Sequence, residues 1–257
     1  MRLLALPLLL AATLAFGQAQ KAPAPAYEPS VGQEGKDVVW VPTPQVLVHK
    51  MHEMAKVTPN DFLMDLGSGD GRTVITAAKR GVKALGIEYN PDMVALSQRN
   101  AEKEGVAGRA SFRKADLFET DLSQATVITM FLLPDINLKL RPKILRLRPG
   151  TRVVSNTFTM AEWKADEVAD LKDDPGCKAA HYCTALLWVV PARAGGIHKT
   201  PQGEFRLRQE FQILSGTLVA DGKESRVEGK VNGTEVVLNA GGRQFRGRMN
   251  GKQLELN

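Results

Sequence analysis

The sequence Asp65-Leu66-Gly67-Ser68-Gly69-Asp70-Gly71 overlaps the end of an apolar run at residues 62–66 and precedes a helix-like run at residues 72–79. The apolar run is typical of a buried strand, and the glycines after it let the backbone turn sharply and pass close to a ligand. A dinucleotide-binding turn needs the order G-x-G-x-x-G, whereas this turn reads G-x-G-x-G behind an acidic residue. Asp65 and Asp70 would repel a pyrophosphate, but they would attract a ligand that carries an amino group.

Two further acidic residues follow the next two predicted strands. Glu88 ends the second strand, where a carboxylate can accept hydrogen bonds from both hydroxyls of a ribose. Asp116 follows the third strand and can accept from an adenine amino group, with Leu117 or Phe118 against the ring. An ordinary loop start is the alternative for this aspartate. Together with the acid-led turn, these residues predict an S-adenosylmethionine site at the carboxyl edge of a parallel sheet. The predicted cofactor-binding residues of this group are Asp65, Gly67, Gly69, Gly71, Glu88, Asp116 and Leu117.

Strand-like and helix-like runs alternate through the middle of the chain, which predicts an α/β fold with helices on both faces of a Rossmann-like parallel sheet. The predicted strands are residues 62–66, 84–88, 110–114, 125–132 and 151–155. The predicted helices are residues 72–79, 91–104 and 138–147. Pro142 lies inside the last of these helices and predicts a kink or a break there.

The last part of the chain has a different pattern. Residues 205–218 are predicted as one long strand, and the strands after it are separated by glycine-containing dipeptides that suit two-residue hairpins. The pattern predicts an antiparallel β meander at residues 216–257, which packs on the main sheet or extends its edge.

The first residues of the chain have the layout of a secretory signal. A basic residue, an apolar run and small residues follow one another, which predicts a signal peptide at residues 1–19. A linker rich in alanine and proline follows at residues 20–37, and the main domain is predicted at residues 38–215. We therefore expect export to a bacterial periplasm or the medium; an uncleaved N-terminal segment that anchors the chain to a membrane is the alternative.

The composition is that of a soluble globular protein. Of 257 residues, 43% are hydrophobic and 24% are charged, which argues against a disordered, collagen-like or multi-span membrane protein. The net charge is +6, but the sequence contains no run of basic residues of the kind that binds nucleic acid. We therefore expect no nucleic-acid partner. Cys177 and Cys183 are a possible disulfide pair in an oxidising compartment, or else two separate thiols. With His181 alone beside them, they do not predict a metal site.

Several motifs make the chain resemble the class I, seven-strand methyltransferases. It is similar in particular to the small protein-lysine methyltransferases that include the mitochondrial enzyme acting on the ATP synthase c-subunit. The motifs that carry the resemblance are Val41-Pro42-Thr43-Pro44, the acid-led glycine turn up to Arg72, Phe131-Leu132-Leu133-Pro134-Asp135-Ile136-Asn137, and Val153-Val154-Ser155 followed by Trp163. The resemblance covers residues 38–214 and implies that residues 185–190 and 205–214 form the last two antiparallel strands of the sheet.

The resemblance also suggests where the methyl acceptor lies. In this fold the loop after the fourth strand faces the reactive methyl group, so Leu132, Leu133, Pro134 and Asp135 are the predicted catalytic residues. The alternative is that Asp135 only caps the following helix and the two leucines belong to the core. Thr43 is predicted to contact the methionine part of the cofactor, or else to belong to a rigid proline linker.

The sequence thus predicts a methyltransferase that uses S-adenosylmethionine, with a protein lysine amine as the expected acceptor and a small molecule as the other option. The alternative function is an exported, non-catalytic module that binds an adenosyl ligand or a protein partner. Export supports that alternative, because S-adenosylmethionine is made in the cytosol. The intact set of acidic and glycine residues argues for a working cofactor site.

Overall fold

The computed structural model describes residues 27–178 and 180–257. The predicted signal peptide at residues 1–19 and the first residues of the predicted linker lie outside this part of the chain. Within it, no helix combines the length and the apolar character needed to cross a bilayer.

The first sheet has seven strands in the order β3-β2-β1-β4-β5-β7-β6. The four pairings among β1 to β5 are parallel, and β7 pairs antiparallel with both β5 and β6. Its strands are β1 (Phe62–Leu66), β2 (Lys83–Glu88), β3 (Ala110–Lys114), β4 (Val127–Met130), β5 (Arg152–Asn156), β6 (Glu167–Asp170) and β7 (Thr184–Val189). This is the predicted Rossmann-like architecture, with β1 and β4 at its centre.

Helices cover both faces of this sheet. They are α1 (Gln45–Met54), α2 (Arg72–Lys79), α3 (Pro91–Lys103) and α4 (Pro134–Ile144), with one turn of 3-10 helix at Pro175–Cys177. Residues of α1, α2 and α3 share one apolar core with the sheet, and residues of α4 share the other. The predicted helix at residues 138–147 begins earlier, at Pro134, and Pro142 lies near its C-terminal end without breaking it. A proline at this position removes the hydrogen bond to the carbonyl of Leu138, and only two helical residues follow it.

The second sheet contains seven antiparallel strands in sequential order. They are β8 (Gly196–Thr200), β9 (Gly203–Glu210), β10 (Ile213–Ala220), β11 (Lys223–Asn232), β12 (Glu235–Ala240), β13 (Arg243–Asn250) and β14 (Gln253–Leu256). The sheet curls so that β14 approaches β8, and it encloses an apolar core of its own. It therefore forms a separate layer and does not extend the edge of the first sheet.

Two predictions about this region are wrong. Residues 205–218 form two strands, since the chain reverses at Phe211 and Gln212, and Phe211 adopts a φ of 51°. No glycine marks this turn, and Phe211 is held instead by stacking on Trp163, with 6.1 Å between the ring centroids. Residues 205–214 consequently belong to the second sheet, which begins at Gly196 and not at residue 216; the short strand β6 completes the first sheet in their place.

Candidate functional site

A cavity of about 520 Å³ opens at the carboxyl ends of β1, β2 and β4. Its volume is in the range of small-molecule sites, and its place in the sheet is where open α/β folds bind their ligands. Predicted site residues that line it are Thr43, Asp65, Gly67, Gly69, Glu88, Asp116, Leu117, Leu132 and Leu133. The structure thus brings together side chains that are far apart in the sequence.

The glycine turn is fixed by hydrogen bonds from α3. Ser97 Oγ donates to the Gly69 carbonyl oxygen at 2.8 Å, and Asn100 Nδ2 donates to that of Asp70 at 3.0 Å. Gly69 has a φ of 54°, and a Cβ atom there would lie 2.6 Å from Nε1 of Trp40. The glycine is required both by its backbone conformation and by the segment containing Trp40, which closes over the turn.

Asp65 lies at the floor of the cavity with 6% of its surface exposed. Its Oδ1 accepts a hydrogen bond of 2.6 Å from Thr129 Oγ1 on the neighbouring strand. Burial raises the pKa of Asp65 to about 7; the hydrogen bond from Thr129 opposes this rise, and the negative charges of Glu88 and Asp70 add to it. A cationic amino group at this position would stabilise the charged form of the carboxylate.

Glu88 is oriented by two backbone donors. Its Oε2 accepts from the Gly69 amide at 2.9 Å, and its Oε1 accepts from the Asn90 amide at 2.9 Å. Each oxygen keeps a second lone pair. The side chain is therefore held rigidly while it remains able to accept hydrogen bonds from two neighbouring hydroxyl groups.

Asp116 is engaged by the segment before the first helix. Lys36 forms an ion pair with its Oδ2, and the Phe118 amide donates to its Oδ1 at 2.8 Å. The hydrogen bond from Lys36 is the main reason that the pKa of Asp116 lies below its ordinary value. Lys36 also sits over the ring of Tyr89, with 4.8 Å between Nζ and the ring centroid. These contacts mark the end of the cavity at which the sequence predicts an adenine ring.

Thr43 lies at the other end of the cavity, where it is buried. Arg72 Nη1 donates to its carbonyl oxygen at 3.0 Å, and Asn156 Nδ2 donates to its Oγ1 at 3.5 Å. Arg72 also pairs with Asp70, with 2.6 Å between Nη2 and Oδ2. The proline-containing segment is thereby tied to the glycine turn and to β5.

Gly71 is predicted from the sequence as a cofactor contact, but it does not line the cavity. It precedes α2 with a φ of 82°, and a Cβ atom there would lie 2.8 Å from the Phe112 ring and 2.9 Å from Ser97 Cβ. The absence of a side chain lets α2, α3 and β3 pack closely. Gly71 therefore shapes the turn through packing, and the structure gives it no direct place at the ligand.

The predicted acceptor loop is only partly in the cavity. Leu132 and Leu133 line it, whereas Pro134 and Asp135 do not, because α4 begins at Pro134 and carries Asp135 outward in its first turn. Asp135 is exposed, and Leu133 occupies the capping position before the helix. The geometry gives Asp135 neither the capping role nor a position from which to take a proton.

Three aromatic residues near this loop are absent from the set of predicted site residues. Phe131, Phe158 and Tyr182 all line the cavity and pack against one another, with ring centroids 5.4 to 5.8 Å apart. They come from three loops that are distant in the sequence, so no local pattern groups them. Tyr89, which also lines the cavity, was recognisable from its place directly after Glu88.

The cavity fits S-adenosylmethionine in chemistry as well as in size. Gly69, whose φ is 54°, and the partly free carboxylate oxygens of Glu88 allow a ligand to approach the turn closely. Asp65 would hold the amino group, Glu88 the ribose hydroxyls and Asp116 the adenine amino group. The last contact requires Lys36 to share or leave the Asp116 carboxylate.

Comparison with known proteins agrees with this site. The model of the ANTKMT methyltransferase domain family matches residues 65–167. A protein-lysine N-methyltransferase of Saccharolobus islandicus (strain REY15A) is 49% identical over 139 residues, which are 53% of this chain and 86% of the relative. The human lysine N-methyltransferase of the ATP synthase c-subunit is 42% identical over 107 residues, 41% of this chain and 46% of that protein.

A solved structure is also similar. The crystal structure of an RNA methyltransferase from Salinibacter ruber, in complex with S-adenosyl-L-homocysteine, is 45% identical with a TM-score of 0.55 and covers 60% of this chain and 95% of that chain. The chain spans most of the archaeal relative but about half the length of the human one. From the match to the archaeal enzyme and the cofactor geometry, the chain belongs to the S-adenosylmethionine-dependent methyltransferase family that includes these protein-lysine N-methyltransferases.

Proposed function

We propose that this protein transfers a methyl group from S-adenosylmethionine to the side-chain amine of a lysine in another protein, and that it does so after export. The match to a protein-lysine N-methyltransferase, which the chain covers over 86% of its length, carries the proposal for the acceptor, and the acidic character of the cavity agrees with it. Among the described residues that line the cavity, six are acidic (Glu34, Asp37, Asp65, Asp70, Glu88 and Asp116) and two are basic (Lys36 and Arg72). Such a cavity attracts a cationic side chain and repels a polyanion.

Positioning accounts for most of the expected chemistry. Bound S-adenosylmethionine supplies a methyl group on a sulfonium, which is already a good leaving group. An amine nitrogen that has already lost a proton would form a bond to the methyl carbon while the carbon–sulfur bond breaks, and the leaving group would be the neutral thioether S-adenosyl-L-homocysteine. The protein's task is to align the nitrogen with that bond and to exclude water. Leu132 and Leu133 form an apolar side of the cavity where the acceptor would enter.

The acceptor must also lose its charge before it reacts. A lysine in water has a pKa near 10.4, and removal from water lowers it. Asp135 lies outside the cavity, so the structure offers no support for it as a general base. Desolvation beside Leu132 and Leu133, with the proton released to solvent, is the route that the described residues support.

One prediction and one observation support export. The predicted signal peptide lies ahead of the described residues, and Cys177 and Cys183 form a disulfide with 6.1 Å between their Cα atoms. Structural disulfides persist in oxidising compartments and are rare in the cytosol. A periplasmic or secreted location is the one with which both features agree.

The experiment below distinguishes the proposed function from two others. One is a non-catalytic module that binds an adenosyl ligand. The other is methyl transfer to RNA, because the similar Salinibacter ruber protein is described as an RNA methyltransferase. Calorimetry of the chain with S-adenosylmethionine should show binding that Glu88→Ala weakens at least tenfold, since it removes a charged acceptor. Glu102→Ala, an exposed change on α3, is the matched control and should bind like the wild type.

Isotope-labelled cofactor then identifies the acceptor. The enzyme is incubated with envelope and cytosolic extracts, and the product is treated with protease or ribonuclease before amino-acid analysis. We expect protease-sensitive label recovered as methyl-lysine. Ribonuclease-sensitive label would contradict the lysine acceptor, and cofactor binding without any transfer would favour the module.

A further inference from the structure

We propose that Phe131, Phe158 and Tyr182 form an aromatic wall that binds the cationic side-chain nitrogen of the acceptor, and that the Cys177–Cys183 disulfide holds Tyr182 in this wall. The inference rests on the proposed function, because it assigns the amine-binding side of the same cavity. The three rings are named the aromatic wall below.

The aromatic wall lies at the acceptor side of the cavity. Phe131 directly follows β4 and precedes the two lining leucines, whereas the carboxylates assigned to the cofactor follow β1, β2 and β3. Each ring packs against the other two at centroid distances of 5.4 to 5.8 Å, and all three line the cavity. Aromatic faces attract ammonium and methylammonium groups within about 6 Å of a ring centroid. A lysine carries this charge when it arrives, and a methylated lysine carries it when it leaves.

The loop that carries Phe158 is held in an unusual conformation. Thr157, the residue before it, has a φ of 60°, which a β-branched residue rarely adopts. Asn137 of α4 donates from Nδ2 to the carbonyl oxygens of Phe158 and Thr159 at 3.1 and 3.2 Å. Strained backbone that is fixed by its surroundings is concentrated at functional sites. Asn137 and Thr157 are positioning residues that fix the direction of the Phe158 ring.

Tyr182 is placed by a different set of contacts. It directly precedes Cys183, which is 4% exposed and bonded to Cys177, itself 1% exposed. The 3-10 turn that ends at Cys177 packs on α1, where a Cβ atom at Gly176 would lie 2.9 Å from Val46. One end of the disulfide is thus anchored to α1 and the other to β7. The bond leaves Tyr182 little freedom to move away from the other two rings.

The test uses two peptides that cannot be methylated further. Both are short glycine–alanine peptides with one modified residue: Nε-trimethyl-lysine in the first, and its neutral tert-butyl isostere, with carbon in place of nitrogen, in the second. Their dissociation constants are measured by calorimetry on the full chain saturated with S-adenosyl-L-homocysteine. Because the two side chains have the same shape, the ratio of the constants reports on the charge alone. We expect the cationic peptide to bind about 3- to 10-fold more tightly.

Substitutions at Tyr182 distinguish the effect of the aromatic ring on binding from the effect of simple apolar contact. Tyr182→Phe keeps the aromatic face and should keep the charge preference within twofold. Tyr182→Leu keeps apolar volume without an aromatic face and should reduce the preference at least twofold, since only the rings of Phe131 and Phe158 then remain. The Cys177→Ala/Cys183→Ala double variant should reduce the preference like Tyr182→Leu, while its affinity for S-adenosyl-L-homocysteine stays within twofold of the wild type.

The outcomes are distinguishable from failure of the proposed function. A wild-type ratio near one overturns the aromatic wall, even if methyl-lysine is formed from labelled cofactor. A ratio that is unchanged in Tyr182→Leu overturns the role of Tyr182, and one unchanged in the cysteine variant overturns the role of the disulfide. A clear charge preference that depends on Tyr182, together with no transfer to any protein, would refute the proposed catalysis and leave the amine-binding wall in place.

Discussion

The substitution Asp65→Asn should make the ligand-free protein more stable and its cofactor binding weaker. The pKa of Asp65 is about 7 in the folded protein because of burial, and an unfolded aspartate has a pKa near 3.9. Between these values the folded chain keeps a proton that the unfolded chain has lost, so stability falls as the pH rises through this interval. Asparagine is neutral at every pH and retains an oxygen that can accept from Thr129 Oγ1.

The size of the effect follows from the two pKa values. Between pH 5 and pH 8, deprotonation of Asp65 should lower the unfolding free energy of the wild type by about 2.5 kcal/mol. Asp65→Asn lacks this group and should not show that loss. The assay is urea unfolding of both proteins, without ligand, at pH 5 and at pH 8. The stability difference between Asp65→Asn and the wild type should increase by about that amount between the two conditions. Because groups that do not interact with Asp65 titrate equally in both proteins, a difference that does not change with pH would refute the assignment.

Cofactor binding provides the second half of this prediction. A cationic amino group beside Asp65 favours the charged carboxylate, so wild-type binding of S-adenosylmethionine at pH 7 should release about half a proton. Calorimetry in buffers of different ionisation enthalpy measures this number. Asp65→Asn should bind at least tenfold more weakly and release no proton from this site. Unchanged affinity in the variant would show that the amino group binds elsewhere.

Three further changes test the fold around the site. Gly71→Ala should cost about 2–4 kcal/mol in urea unfolding, because its φ is 82° and an added Cβ would lie under 3 Å from neighbouring side chains. Gly105→Ala, with a φ of 68° and open space around it, should cost about 1 kcal/mol. Equal costs would refute the packing role of Gly71. Burial lowers the pKa of His52 to about 4, so protonation favours the unfolded chain. Between pH 7 and pH 4.5 the wild type should therefore lose about 2.5 kcal/mol of stability relative to His52→Leu, and a difference that stays constant would refute this assignment. The Cys177→Ala/Cys183→Ala variant should lose about 2 kcal/mol in the same assay, and no loss would argue against a bond in solution.

The sequence predicts the cofactor half of the cavity well because its residues are set by strand ends. In a parallel sheet the carboxyl ends of neighbouring strands meet at one edge, so Asp65 and Glu88 come together once the strands are recognised. Their strands were found at or within one residue of their observed bounds. Gly71 shows the limit of this reasoning, because a motif glycine can serve helix packing as well as a ligand.

The acceptor half depends on long-range contacts that no local pattern contains. Helix α1 was missed, although it forms part of the core on one face of the sheet. The strand β6 was missed because only four residues form it, and the turn at Phe211 was missed because it lacks glycine. Tyr182 reaches the cavity only through the fold of the disulfide loop. Such placements are decided by packing between distant segments, which sequence spacing does not report.

The second sheet supports the acceptor side of the site although none of its described residues lines the cavity. Phe211, in the turn between β9 and β10, stacks on Trp163. Arg141 of α4 lies over the Phe211 ring, with 5.3 Å between its Cζ and the ring centroid. Arg141 also donates to the Met160 carbonyl oxygen at 2.8 Å, and the backbone amide of Trp163 donates to that oxygen at 3.3 Å. The loop between β5 and β6, which carries Phe158, is thus held by contacts with both α4 and the second sheet. Any effect of this sheet on the proposed acceptor side would therefore act through that loop, because none of the sheet's described residues lines the cavity.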